Sequence, residues 1–568
     1  MRKAKRILTF SLAAAILAAT PVVTTACSSS DLAKLCDKLR KTEHPNGQLV
    51  NIPLSELPAK NYNVFAHNKS LVNRYLTATH TGSQMKELKK VLYNYVNFPV
   101  KKYEWGTFVP AATISDKGAE SYTAIWLRDT VWNIMALNAQ DRIEDARECT
   151  LSIMKYMATQ KQLTRMTAAI NDPTIVTRDK NGAMNAVHIR FNAATPNLDD
   201  VYENGKPQDW HHKQNDALGL YIKLFIEFAE VYLNKTVWKT QETDFKALAL
   251  LVGYLNSVGF WHMEDSGAWE EIEKFALSST GCVVAAYQQL VKAYGDGTTS
   301  FATAYKKGIT DAKTLYPQIE TLIDEKSSID AIKSAIDSAY TDMIIPSIEK
   351  GGESVLYAPS DKEYREADTA MLDLIYPMNI DDYPSNAAAA GSFDIWSRVK
   401  ILAIVENNNN DYGIMRYKND TYQSSDYWFR DVGSTNTEED FIKREKAFVA
   451  GSEASWFFDS WMAICYEKVI EEAEAIDEFD PDTIMWMKNK LHYHINKALA
   501  FINDVGTYRG NGTKVKDGEI SLPESYIVVI DDKDSTIWYR LASPVDPLRW
   551  AQSSLILMTD YLGDTLAG

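Results

Sequence analysis

Two acidic segments of this chain carry residue types that suit acid–base chemistry. Glu270 and Glu271 directly follow Trp269, so an aromatic wall stands beside a pair of carboxyl groups. Much later in the chain, Glu524 follows Pro523 in a loop-like setting. Two carboxyl groups from distant parts of a chain can cleave a glycosidic bond, one as an acid and one as the base that activates water. The pattern therefore suggests a glycosidase-like acid site with a second carboxylate brought to it by the fold.

Apolar residues recur at three-and-four spacing from about residue 85 onward, which predicts helices. We expect these helices to position the acidic residues. Loops rich in Asn, Asp, Gly and Pro separate the periodic stretches. About a dozen helices predict an all-α toroid in one large domain, residues 85–568, whereas the polar residues 27–84 are predicted to be a tether or extension. The predicted helices are Met85–Tyr95, Thr130–Ala139, Asp145–Met157, Ala217–Leu233, Phe245–Val258, Ser278–Ala293, Ile319–Ile345, Ala367–Leu374, Asp394–Val405, Glu453–Ala475, Pro481–Ile502 and Pro547–Leu562.

Composition favours a sugar ligand over a nucleic acid. The 568 residues have a formal net charge of −16, and an acidic protein repels phosphate backbones. A neutral sugar polymer is little affected by that field. The chain has 14 Trp and 30 Tyr, which suit a cleft where pyranose rings stack, although the packing of a helical core uses the same residues.

The first 26 residues predict a signal peptide. A basic segment, Met1–Arg6, precedes the apolar segment Ile7–Ala19, which is too short to span a bilayer. Ala26-Cys27 followed by three Ser residues resembles a bacterial lipoprotein processing site, although Thr24 stands where Leu is usual. We expect export, either as a cell-surface or periplasmic lipoprotein attached to the membrane through a lipidated Cys27, or as a secreted protein.

Cysteine and histidine spacing predicts neither a metal site nor a disulfide framework. The five Cys are scattered without a CxxC pair, and the nine His form no HExxH-type set. Cys149, Cys282 and Cys465 lie in apolar helical stretches and are predicted to be small core residues. No cofactor, metal or protein partner is expected, while a structural calcium ion stays an open alternative.

Five motifs between about Tyr122 and Leu562 occur in the order seen in glycoside hydrolase family 15, the glucoamylase family, which this chain resembles. Details of the second, fourth and fifth motifs are also similar to the glucoamylase-like domain of phosphorylase kinase regulatory subunits. The motifs are Trp126-Leu127-Arg128-Asp129, Arg190-Phe191-Asn192 with Trp210 to Gly219, Trp269-Glu270-Glu271, Gly413 to Tyr417 with Asp420, and Leu522 to Tyr526 with Trp550 to Ser553.

The resemblance implies an (α/α)6 toroid of the six-hairpin glycosidase type and assigns two catalytic residues. Glu270 matches the general acid and Glu524 the general base, although Ser525 replaces the Gln that usually follows the base. Glu271 matches a residue that binds the leaving sugar or tunes its neighbour. The implied substrate-binding residues are Trp126, Arg128, Asp129, Trp210, Gln214, Asp216, Trp269, Glu271, Arg416, Tyr417 and Trp550.

Plainer interpretations of these residues stay open. Arg128 and Asp129 can form an ion pair at a helix start, Asp216 can cap a helix, and Arg416 can serve in an ordinary salt bridge. In each case the company of the other motifs favours substrate binding.

The implied activity is that of an exo-acting inverting glycoside hydrolase releasing glucose from the non-reducing end of α-glucans or α-glucosides. Inversion requires the two carboxyl groups to lie roughly 6.5–9.5 Å apart, leaving room for a water molecule. The substrate is then an oligo- or polysaccharide, and trehalose is an alternative within the same class. A catalytically silent carbohydrate-binding or regulatory module with the same toroid is the alternative outside it.

Overall fold

The computed structural model describes residues 29–42, 46–53, 61–67, 73–96, 98–112, 124–236, 238, 242–382, 393–410, 412–420, 422, 441–442, 453–477, 479–504, 507, 509, 513–543 and 545–566. The predicted signal peptide and Cys27 lie outside the described residues. Within them, no helix has both the length and the apolar composition needed to cross a membrane.

Helices dominate the described chain, and short 3-10 segments join several of them. One inner element of the fold is itself a 3-10 helix, Thr369–Leu374. The α-helices are α1 Ser29–Lys41, α2 Gly82–Tyr95, α3 Leu127–Ala139, α4 Ile143–Met157, α5 Gln160–Asn171, α6 Thr174–Thr177, α7 Gly182–Asn185, α8 Asn215–Tyr232, α9 Glu242–Val258, α10 Leu277–Tyr294, α11 Ser300–Leu315, α12 Glu320–Ser327, α13 Ile329–Ala339, α14 Ile345–Lys350, α15 Ile395–Val405, α16 Asp459–Glu474, α17 Pro481–Ala500 and α18 Arg549–Thr565.

Six inner elements form a closed ring. In order around the ring they are α3, α8, α10, the 3-10 helix Thr369–Leu374, α16 and α18, and α18 contacts α3 again. Helices α2, α4, α13, α15 and α17 each contact a member of the ring from outside, and α9 contacts α4 and α13. This double ring confirms the predicted (α/α)6 toroid.

The inner helices are apolar around most of their circumference, as helices buried on all sides must be. In α8, 13 of 18 residues are buried. Gly219 lets α8 approach α10 closely, since a Cβ at this position would lie 2.5 Å from the backbone carbon of Cys282. Cys149, Cys282 and Cys465 are buried, which confirms their prediction as core residues.

A seven-stranded antiparallel sheet joins the two ends of the chain, in the order β2-β1-β13-β12-β11-β10-β9. Its hairpin β1–β2 pairs through Gly47 with Trp538 of β13. Short two-stranded pairs occur elsewhere. The strands are β1 Asn46–Pro53, β2 Asn61–His67, β3 Lys101–Tyr103, β4 Gly106–Phe108, β5 Ile125–Trp126, β6 Arg190–Phe191, β7 Tyr202–Glu203, β8 Lys206–Pro207, β9 Asn409–Asn410, β10 Gly413–Ile414, β11 Ser455–Trp456, β12 Ser525–Ile530 and β13 Trp538–Ala542.

The segment predicted as a tether or extension, residues 27–84, forms helix α1 and strands β1 and β2 among its described residues. Helix α1 packs Leu35, Cys36 and Leu39 against β12 and β13, and Arg40 binds Asp531 at 2.6 Å. The apolar stripe of α1 is only three residues long, and its partners lie about 500 residues away. Neither feature shows in a local sequence pattern.

Candidate active site

Glu270 stands on a strained turn. The single 3-10 turn Gly267–Trp269 ends at Glu270, whose backbone is left-handed, with φ 57° and ψ 39°. Residues other than Gly adopt this conformation rarely, and such strain concentrates at functional sites. Backbone hydrogen bonds between Asp265 and Lys274, at 3.0 and 2.8 Å, close the loop around the turn. We call residues 265–274 the acid loop.

The environment of Glu270 favours its protonated form. Its side chain is 16% exposed, and its Oε1 lies 3.9 Å from Nη1 of Arg128. Burial raises the pKa of Glu270, while Arg128 and Gln214 stabilise the ionised form and limit the rise. A raised pKa keeps a carboxyl group protonated to higher pH, which is a property that a general acid needs.

Arg128, in the first turn of α3, connects three parts of the site. Its Nε donates to Asp216 at 2.6 Å and its Nη2 donates to Gln214 at 2.7 Å, both at the start of α8. Nη2 also donates to the Gly267 carbonyl of the acid loop at 3.1 Å. These bonds show that the strongest ionic partner of Arg128 is Asp216, rather than the neighbouring Asp129.

The start of α8 is capped by a residue that the sequence analysis did not single out. Oδ2 of Asp265 accepts the backbone N–H of Asn215 at 2.8 Å, so Asp216 is not the cap. Asp129, which follows Arg128 in α3, is also buried. Burial raises the pKa of Asp129 to about 7, Arg128 opposes the rise, and the charge of Glu270 adds to it.

Arg190 lies between two of the predicted sugar-binding aromatics. Its guanidinium carbon is 4.6 Å from the ring centroid of Trp126 and 4.0 Å from that of Trp210. Strands β5 and β6 pair Trp126 with Arg190 directly. The cation therefore fixes the orientation of both rings next to the start of α3.

The Trp269 ring is anchored at its polar end and stacked on its face. Its indole N–H donates to Oδ1 of Asp368 at 2.7 Å. Its ring is nearly parallel to that of Trp550 in the first turn of α18, at a centroid distance of 6.4 Å. Further aromatic residues continue the cluster, namely Trp132, Trp456, Phe457, Phe458 and Trp461.

Glu271 is held inside the protein by two motif residues. Its side chain is 1% exposed, Oε1 accepts Nη2 of Arg416 at 2.7 Å, and Oε2 accepts the hydroxyl of Tyr417 at 2.6 Å. Arg416 also binds both oxygens of Asp420, at 2.8 and 2.7 Å. The salt-bridge interpretation of Arg416 is therefore observed, while contacts of Arg416 and Glu271 with a sugar stay predictions.

Glu524 reaches the same end of the ring through the sheet. It lies immediately before β12, 7% exposed, and its backbone N–H donates to the Val545 carbonyl at 2.9 Å. The next residue, Ser525, pairs with Trp456 of β11, whose ring contacts Trp269. The register of β11 and β12 thus places Glu524 next in the chain to a residue that pairs with Trp456.

A cleft of about 990 Å³ opens beside Tyr417. Its lining combines tyrosine rings, amides and charged groups, including Tyr364, Arg365, Asn408 and Asn419. A cleft of this size can hold a small-molecule ligand. It shares Tyr417 with the network that holds Glu271.

One group of residues among those described brings potential metal ligands together. Cys36, Asp531 and Asp532 meet where α1 contacts the sheet. The guanidinium of Arg40 binds the carboxylates of Asp531 and Asp532 at 2.6 and 2.8 Å, so its positive charge already balances them.

Sequence reasoning missed Asp368, Arg365 and Glu353. Asp368 falls inside the predicted helix Ala367–Leu374, whereas in the structure it caps the 3-10 helix Thr369–Leu374 and binds Trp269, 99 residues away. Arg365 lies 3.9 Å from Oε2 of Glu271, and Glu353 accepts the N–H and hydroxyl of Ser278 at the start of α10. No local motif announces either residue.

Comparison with known proteins places the chain in a family. The profile described as "Glycosyl hydrolases family 15" matches residues 90–492. The chain belongs to glycosyl hydrolases family 15. This match confirms the resemblance seen in the sequence motifs, and it covers Arg128, Glu270 and Arg416 while ending before Glu524.

Curated relatives and solved structures give further matches. "Uncharacterized lipoprotein YgeQ" of Escherichia coli (strain K12) is 38% identical over 214 residues, which are 36% of this chain and 79% of YgeQ. "Putative protein YgeP" of the same organism is 43% identical over 58 residues, which are 10% of this chain and 58% of YgeP.

Glucoamylases are among the matched structures. The glucoamylase from Saccharomycopsis fibuligera matches with a TM-score of 0.46 and 14% identity, covering 86% of this chain and 96% of that one. The Hormoconis resinae glucoamylase matches with a TM-score of 0.48 and 11% identity, covering 86% and 74%.

Proposed function

We propose that this family 15 protein is an exo-acting, inverting glycoside hydrolase that releases glucose from the non-reducing end of α-glucans or α-glucosides. One observation carries the proposal. Glu270 occupies a strained left-handed turn next to Trp269, and its partly buried surroundings raise its pKa. A strained backbone and a raised carboxyl pKa both cost stability, and that cost is typical of a catalytic acid.

In this mechanism Glu270 donates its proton to the departing glycosidic oxygen. Glu524 removes a proton from a water molecule, which attacks the opposite face of the anomeric carbon in a single displacement. Arg128 and Asp129 lie at the start of α3 beside Glu270 and hold hydroxyls of the terminal sugar. The guanidinium of Arg128 is fixed by Asp216 and Gln214, so it orients the sugar without having to be ordered first.

Stacking surfaces support the same proposal. Trp126 and Trp210 are immobilised by Arg190, and Trp269 is backed by Trp550, so the site has rigid aromatic faces. Rigid aromatic rings can bind the apolar faces of a pyranose with little loss of side-chain entropy. A neutral glucan suits these faces better than a charged polymer.

We further propose that the protein is exported and held at the membrane by a lipid on Cys27. The Ala26-Cys27-Ser28 sequence supports this, and a 38% identical relative carries the name lipoprotein. Metabolic labelling with a radioactive fatty acid tests it. Label in the wild type but not in Cys27→Ala supports lipidation, and equal labelling of both contradicts it.

A sugar-binding module without activity is the second candidate. It is favoured by Ser525, which stands where the family usually has Gln after its base. It predicts that oligosaccharides bind without being hydrolysed.

Glucose release tests the proposed function directly. The wild type, Glu270→Gln and Glu524→Gln are incubated with maltose through maltoheptaose, trehalose and isomaltose, and the anomer is identified by NMR. We expect β-glucose from the wild type and a loss of roughly 10²–10⁴-fold in each variant, because each loses a proton-transfer group. Glu325→Gln, an exposed position on α12, is the matched control and should retain full activity. Sugar binding without release would instead support the silent module.

A further inference from the structure

Asp368 is the buried carboxylate at which the acid loop meets the inner 3-10 helix Thr369–Leu374. Its Oδ1 accepts the indole N–H of Trp269 at 2.7 Å and the backbone N–H of Ala370 at 2.9 Å. Its Oδ2 lies 3.4 Å from Nη1 of Arg365. One side chain therefore caps the 3-10 helix Thr369–Leu374, anchors a ring of the acid loop and binds a buried cation.

Asp368 is also connected to Glu271, the last residue of the Trp269-Glu270-Glu271 motif, through Arg365 and Tyr417. The Arg365 guanidinium carbon lies 3.6 Å from the ring centroid of Tyr417, and the hydroxyl of Tyr417 donates to Glu271. The backbone of Asp368 also forms a β-bridge with Tyr417. Asp368 thus contacts Trp269 directly and orders the residue that holds Glu271.

These two routes end on the residues that flank Glu270. Glu270 has a left-handed backbone, and the direction of its carboxyl group depends on how firmly the residues on each side are held. A proton-transfer group must point at the reacting atom, and a displacement of about 1 Å can cost roughly 10²-fold in rate. Asp368 does not touch the reacting atoms in this arrangement.

We propose that Asp368 is a positioning residue for the general acid. By accepting the indole N–H of Trp269 and holding Arg365 against Tyr417, it fixes Glu270 from both neighbours, so that its carboxyl group faces the leaving oxygen. The proposal rests on the proposed function of Glu270. It assigns to Asp368 no proton transfer and no contact with the substrate.

Substrates that differ in their need for an acid test the proposal. Maltotriose leaves a sugar hydroxyl that must be protonated, whereas α-glucosyl fluoride leaves as fluoride with little protonation. In Asp368→Ala we expect kcat on maltotriose to fall by about 10²-fold, and kcat on α-glucosyl fluoride to change little. Glu270→Gln should show the same split, because it removes the acid itself.

Two further variants separate positioning from a general structural role. Asp368→Asn keeps an oxygen acceptor for Trp269 and Ala370, so it should restore most of the maltotriose activity. Trp269→Phe keeps an aromatic ring but removes the N–H, so it should reproduce the split even where Asp368→Ala fails to fold.

The pH profile gives an independent readout. Because the acid must be protonated, activity falls as pH rises through its pKa, and we expect this alkaline limb to shift in Asp368→Ala. Equal losses on both substrates with an unshifted limb would overturn the positioning role while leaving the proposed function intact. A wild type inactive on both substrates would overturn the proposed function and this inference together.

Discussion

Replacing Tyr417 by Phe removes one hydroxyl from the network that holds Glu271. The hydroxyl donates to Oε2 of Glu271 at 2.6 Å, and the two residues are 6% and 1% exposed. Arg365, whose Nη1 lies 3.9 Å from the same oxygen, is too distant to replace the hydrogen bond. The Phe ring still supports the guanidinium of Arg365, so the substitution is confined to the hydroxyl.

The size of the effect follows from the charge of the acceptor. A hydrogen bond to a charged group contributes about 1.5–3 kcal/mol, and its loss here leaves a buried carboxylate less well satisfied. We therefore expect the free energy of unfolding to fall by about 2 kcal/mol, close to a 30-fold change in the folding equilibrium. Arg416 keeps its bond to Oε1, so the network should weaken rather than collapse.

Urea unfolding followed by circular dichroism measures this loss. Wild type, Tyr417→Phe, Glu271→Gln and the double variant form a double-mutant cycle, in which residues in contact show a coupling of about 0.5–3 kcal/mol. Tyr364→Phe, at a tyrosine lining the same cleft, is the matched control. A loss below about 0.5 kcal/mol in Tyr417→Phe, or strictly additive effects in the cycle, would refute the reasoning.

Two other predictions concern α10. Burial, with the charge of Asp368 adding to it, raises the pKa of Glu353 to about 8, so the folded protein binds its proton more tightly than the unfolded chain. The stability contribution of Glu353 therefore falls as pH rises from about 4.5 to 8. Glu353→Gln should gain stability relative to wild type over that range in thermal unfolding at pH 5, 7 and 9; parallel curves would contradict this. Gly219→Ala places a Cβ 2.5 Å from the Cys282 backbone carbon and should cost roughly 1–3 kcal/mol in urea unfolding. An unchanged midpoint would show that α8 and α10 can separate freely.

The helices of the ring were predictable because burial imposes a strong local period. The predicted ranges Ala217–Leu233 and Ser278–Ala293 differ from α8 and α10 by two residues or fewer at each end. The long predicted helix Ile319–Ile345 is divided in the structure into α12, α13 and a π-helical turn at Tyr340–Ile344. Its apolar spacing continues across Ser328, which caps α13, so periodicity alone does not show the break.

The sheet was not predictable in the same way. Strands β9, β10 and β11 have two residues each, too few to show an alternating pattern. Hairpin β1–β2 pairs with β13, almost 500 residues later, and such pairing leaves no trace in local composition. For the region before residue 85, sequence separation is the reason, since its strands have eight and seven residues but find their partner strand near the other end of the chain.

The motifs identified the segments of the site but not how they are connected. Arg128 and Asp216 were each singled out, yet their ion pair joins residues 88 positions apart. Asp216 looked equally like a cap, because an acid at a helix start fits both roles. The residue that caps α8, Asp265, belongs to the acid loop, and only the three-dimensional structure shows that the loop is attached to α8.

Helix α1 changes how a membrane-held form of the protein would work. It begins at Ser29, two residues after Cys27, and packs on the strands β12 and β13 that follow Glu524. If Cys27 carries a lipid, the two residue steps from Cys27 to Ser29 can span at most roughly 7 Å. The folded body would then lie close to the bilayer surface, and its range of movement would be restricted.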